Sequence, residues 1–107
     1  MSSKGLIVVM EPLSGDSITS PLTIAGEASV FEATVSFRVV TVGGTVLGQG
    51  HATASEGAPQ RGTFRAELKF DTPLYAESGY VEVFELSAKD GSVTEIVRVP
   101  VSIPGSY

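Results

Sequence analysis

The stretch "TFRAELKF", Thr63 to Phe70, decides the fold. Phe64, Ala66, Leu68 and Phe70 fall on one side of an extended chain, and Arg65, Glu67 and Lys69 fall on the other. Successive side chains of a strand point to opposite faces, so this alternation predicts a strand with one buried and one wet face. The same pattern continues outward in both directions. Ala33 to Val40 sets Val35, Phe37 and Val39 against Ser36 and Arg38. The last stretch sets Val97, Val99, Val101 and Ile103 against Arg98 and Ser102, and Leu22, Ile24 and Gly26 alternate with Thr23, Ala25 and Glu27. Helical spacing of apolar residues is nowhere sustained.

Turn residues punctuate these runs. Pro12, Gly15-Asp16 and Ser20-Pro21 break the first third of the chain. Val42-Gly43-Gly44-Thr45 reads as a two-residue hairpin whose glycines supply positive φ angles. Lys89-Asp90-Gly91-Ser92 reads as a second hairpin, with Asp-Gly at its centre and Gly91 at positive φ. Gly57 to Gly62 reads as a polar loop and Pro73 to Gly79 as a longer crossing segment. Pro100 cannot donate to a ladder, so the last strand is expected at a sheet edge or bulged there. The expected strands are Leu6–Met10, Leu22–Ala28, Ala33–Val40, Thr45–Ala54, Thr63–Phe70, Tyr80–Ala88 and Val93–Ile103. The fold class is therefore all-β: an immunoglobulin-like antiparallel β-sandwich of about seven strands. With no Cys and no Trp, it is not of the antibody type. The expected core holds Ile24, Val35, Phe37, Val39, Phe64, Leu68, Val97 and Val99.

The chain has 107 residues, one domain's worth. The domain is expected over residues 6–104, with 1–5 an artificial or disordered start and 105–107 a tail. Lys and Arg number 7 against 12 Asp and Glu, a net charge of -5, which argues against a nucleic-acid partner or an anionic lipid surface. The longest apolar run, Leu6 to Met10, is far short of the roughly 20 residues that span a bilayer, so this domain is not expected to insert into a membrane. "MSSKG" is not a signal peptide, so an exported parent would have lost its leader from this chain.

Catalytic chemistry finds little support. His51 is the only histidine, no cysteine can serve as a thiolate ligand, and no nucleophile-elbow spacing occurs. The expectation is a protein that is not an enzyme and has no metal and no cofactor. Gly48, Gly50 and Ala52 leave one strand face unusually small, which points to an edge bulge or to close approach of another backbone. Tyr75, Tyr80 and Tyr107 could form a sugar-stacking platform if exposed, but they are dispersed and Tyr107 is terminal, so they read as partly buried rings with wet hydroxyls.

Val-Phe-Glu occurs twice, at Val30-Phe31-Glu32 and Val83-Phe84-Glu85, with no further similarity around it. In an immunoglobulin-like order the third and penultimate strands are antiparallel neighbours, so both tripeptides should share one end of the sandwich near the Lys89–Ser92 turn. Val81 and Val83 share a side with Glu85, while Phe84 shares the other with Tyr80, Glu82 and Leu86. Either a bulge shifts the register near Phe84, or Glu85 points inward and needs partners. The candidate binding or loop-anchoring residues are Phe31, Glu32, Phe84, Glu85, Ser87, Lys89 and Asp90. A Ca²⁺ site at Glu32, Glu85 and Asp90 is chemically reasonable, but the spacing matches no known loop.

"SPLTIAGEASVFEATV", "GTVLGQGHATA", "RGTFRAELKF" and "VEVFELSAKDGS" together resemble the immunoglobulin-like domain of bacterial spore germination and sporulation proteins. The resemblance runs from about Ile7 to Ile103, and its most specific pieces are Val30 to Val35 and Val83 to Gly91. It implies an extracytoplasmic domain of the cell surface or spore envelope, attached in its relatives to other modules or an anchor. It also implies a non-catalytic protein-interaction module associated with sporulation or germination. The partner would be an envelope or spore protein. The alternative is a carbohydrate- or peptidoglycan-binding module, with or without Ca²⁺, whose partner is a cell-wall glycan. A glycan module should show exposed coplanar aromatics beside carboxylates or amides, whereas an interaction module should show an apolar or edge-strand patch.

Overall fold

Among the described residues, alternation becomes seven strands: β1 Ile7–Glu11, β2 Leu22–Ala28, β3 Thr34–Thr41, β4 Val46–Thr53, β5 Gly62–Leu68, β6 Glu77–Leu86 and β7 Val93–Ile103. The computed structural model describes residues 6–30, 33–87 and 89–106. β2 and β7 have the expected bounds. β6 begins three residues earlier than Tyr80, which shortens the crossing segment before it.

The strands form two antiparallel sheets, ordered β1-β2-β5 and β4-β3-β6-β7. The eight expected core residues all lie between the sheets, none more than 8% exposed. Phe70 is also buried, although β5 ends at Leu68. β3 and β6 are antiparallel neighbours, with Ser36 opposite Phe84 and Thr41 opposite Gly79.

Both hairpins are wider than the two-residue turns expected. In the first, Thr41 N donates to Thr45 O and Gly44 N donates to Thr41 O. Of the two glycines only Gly44 has positive φ, at 95°, so three residues connect the strands and Gly43 keeps an ordinary backbone. In the second, the Ser87/Ser92 pair closes the loop through Ser87 N to Ser92 O. Gly91 does adopt positive φ, at 75°, and its N–H donates to Ser87 O.

The small face of β4 has a physical cause. The ladder with β3 slips between Val39 and Val40, leaving Leu47 as the extra residue. Leu47 O accepts from Asp71 N, which draws the chain after β5 against β4. A Cβ on Gly48 would lie 2.8 Å from Phe70 Cβ and 2.9 Å from Lys69 O. Bulge and close approach therefore occur together. At the other edge of the same sheet, β7 bears Pro100, whose carbonyl turns outward and accepts from Gly15 N. Ser102 N donates to Asp16 O, and Ile18 N donates to Ser102 O, so this half of the β7 edge is covered. Residues 105–106 are held against the segment before β6, with Ser106 N donating to Pro73 O.

Candidate functional site

The outer face of the four-stranded sheet is ordered in rows by register. Val40, Tyr80 and Pro100 form one row across β3, β6 and β7. The next contains Gln49, Arg38, Glu82 and Arg98 across β4, β3, β6 and β7. His51, Ser36, Phe84 and Ile96 follow. Leu86 and Val93 face each other beyond the slip between Glu85 and Leu86.

Glu82 sits between two arginines. Arg38 Nε donates to its Oε1 at 2.5 Å, and Arg98 Nε donates to its Oε2 at 2.7 Å. The Glu82 side chain is only 8% exposed, while those of Arg38 and Arg98 are 32% and 57% exposed. Burial pushes the Glu82 carboxyl up, but the hydrogen bonds and charges of Arg38 and Arg98 together outweigh it and hold the group below its ordinary range. The Arg38 guanidinium also lies over Phe84, 4.8 Å from the ring centroid. That contact settles the mixed faces of β6. Phe84 points outward, and its ring is buried because a neighbouring strand's arginine covers it.

Beside this row is an open concavity of about 440 Å³, lined chiefly by Thr34, Ser36, Gln49, His51, Phe84 and Leu86. Its floor is apolar and its rim carries an amide, an imidazole and hydroxyls. Leu86 and Val93 remain 46% and 45% exposed at its far end.

Of the other candidates, Glu85, Ser87, Lys89 and Asp90 gather at one end of the sandwich. Glu85 continues the inward side of β6, half-buried, and its Oε1 accepts from Thr94 Oγ1 at 3.1 Å. The register slip comes one position after it, so Glu85 points inward and a bulge is also present. Opposite Glu85 stands Glu95, 4% exposed, whose Oε2 has no protein partner among the described residues. Ser87 Oγ accepts from Lys89 N, and Asp90 Oδ1 accepts from Ser92 N and Ser92 Oγ. The Ser92 bonds hold the Asp90 carboxyl below its ordinary range. These contacts close the last hairpin. Phe31 and Glu32 lie outside the described residues. Among the described residues no three metal-ligating side chains come together. Tyr80 is 37% exposed, a partly buried ring as expected, whereas Tyr75 is 67% exposed, more than expected; Tyr107 lies outside the described residues.

Sequence reasoning missed Arg38, Glu82 and Arg98 as a unit. Each was visible as a polar residue on an outward face. Their union needs the register of three strands, across separations of 44 and 16 residues.

No curated protein and no solved structure matches the chain. The family model for the immunoglobulin-like domain of bacterial spore germination matches residues 6–92, six of the seven strands. The match stops short of the expected Ile103, so β7 and its Arg98 lie beyond it. With most of its length matched, the chain belongs to the family of immunoglobulin-like domains of bacterial spore germination.

Proposed function

We propose that the chain is a non-catalytic protein-interaction module of the bacterial cell surface or spore envelope. It engages an envelope or spore protein through the outer face of the four-stranded sheet. One observation carries this reading: the concavity around Phe84 opens onto Leu86 and Val93, an exposed apolar pair beside a charged row on an ordered sheet. Clustered exposed apolar surface rimmed by polar groups marks sites of association. The glycan alternative is less well served, since the two phenylalanines that line the concavity, Phe37 and Phe84, are both buried, the latter under Arg38, rather than open for stacking.

The test is capture from spore-envelope extract, with purified peptidoglycan run in parallel. The wild-type chain should retain a specific protein, and Leu86→Asp should lose it while keeping its melting temperature. Retention on peptidoglycan alone would favour the glycan reading. Equal capture by Leu86→Asp would place the surface elsewhere.

A further inference from the structure

We infer that the Arg38–Glu82–Arg98 row reads a carboxylate, and that the occupant of this face is an extended partner segment with one acidic side chain flanked at two-residue spacing by apolar ones. This rests on the interaction-module reading above. Charge is the first argument. The chain carries -5 overall, yet the rows from Val40 to Leu86 hold two arginines and one glutamate, a local +1. The positive centre favours an anionic group on the partner, while the net charge of -5 makes two whole copies of the chain repel each other.

Donor capacity is the second. A guanidinium has five N–H donors, and Glu82 takes the Nε donor of each arginine. Both bonds to Glu82 run from Nε rather than from the terminal nitrogens, and both side chains retain exposure. An incoming carboxylate can accept two parallel bonds from such a fork. Glu82 has already ordered both side chains, so less freedom is lost on binding.

Spacing is the third. Rows along a strand repeat every two residues, roughly 6.8 Å. A segment running along β6 with its acidic residue over the arginine row places one flanking side chain near Tyr80 and the other over the Phe84 row, between Ile96 on β7 and the concavity on the β3 side. An extended chain has the same two-residue period, so the two surfaces stay in step.

The probe is the blocked peptide Leu-Thr-Glu-Thr-Leu, titrated into the isotope-labelled chain by NMR, with Leu-Thr-Gln-Thr-Leu as comparison. Shifts should cluster on outer-face residues of β3, β6 and β7, with at least fivefold weaker binding for the Gln peptide. Arg98→Gln, verified as folded by its melt, should weaken the Glu peptide by a similar factor and the Gln peptide by less than twofold. Such non-additivity places the carboxylate at Arg98. No binding, shifts elsewhere, equal affinity for both peptides, or independent losses would each overturn the inference. Self-association abolished by Arg98→Gln would make the occupant a second copy and overturn it as well. Envelope-protein capture that survives Arg98→Gln but not Leu86→Asp would remove this inference and leave the broader reading standing.

Discussion

Replacing Glu82 by alanine removes the carboxylate that holds Arg38 and Arg98 together. A hydrogen bond to a charged group contributes about 1.5–3 kcal/mol when well shielded. Arg98 is 57% exposed, which brings its share down to about 0–1 kcal/mol. Arg38 is better covered and is also pinned over Phe84, so its share is about 1.5–2 kcal/mol, and loosening of the guanidinium above the ring adds about 0.5 kcal/mol. Relief of the carboxylate's own desolvation offsets part of this. The expected destabilisation is about 2 kcal/mol, read by urea denaturation, or a melting temperature lower by roughly 8–15 °C for a domain of this size. The pH dependence has a definite sign. Glu82 is held below its ordinary range in the fold, so its contribution is complete above the unfolded value of about 4.3 and is lost as pH falls through the lower folded one. The gap between wild type and Glu82→Gln should therefore be widest near pH 7 and shrink below about pH 4. A destabilisation under about 0.5 kcal/mol for Glu82→Ala, or a gap that widens in acid, would show that the three side chains do not act as a unit.

Two further substitutions probe the frame around this face. Gly48→Ala puts a methyl against Phe70 Cβ and Lys69 O, where backbone must give way, and should cost about 1–3 kcal/mol; an unchanged denaturation midpoint would mean that β4 does not approach the chain after β5 so closely. Glu95→Gln keeps the side-chain volume and replaces a buried carboxyl whose Oε2 has no partner among the described residues, so it should be neutral or stabilising by up to about 1–2 kcal/mol; destabilisation in calorimetry would point to a partner that needs the carboxyl group.

The core was legible because burial and alternation carry the same information. Val35, Phe37 and Val39 have to face inward together, and a slip by one residue would expose all three. Turn widths were less legible. Gly43-Gly44 suggests two positive φ angles, but the twist of the strands is satisfied by one, at Gly44, with Val42 in the loop. At the end of the sandwich, the hydrogen-bonding roles of Ser87 and Asp90 follow from local chemistry, since both short polar side chains bond to backbone within two residues. The pairing of Glu85 with Glu95 was not legible, because it depends on the register slip between Glu85 and Leu86, which the sequence does not mark.

The outer face shows why a one-strand reading of polarity stops short. On β6 alone, Phe84 shares one face with Glu82 while Glu85 falls on the other with Val81 and Val83, which looks like a conflict for a bulge or an inward carboxylate to resolve. The sheet resolves it sideways. Arg38 on β3 stands opposite Glu82 and leans over Phe84, so one side chain neutralises the buried acid and roofs the buried ring. Arg98 on β7 supplies the second charge, at the cost of little core volume and from the far side of the acid. Two cations around one anion leave a residual positive charge and unused donors at the surface. The same arrangement that lets an aromatic ring stay on the solvent side of the sheet thus equips that side to receive an anionic group.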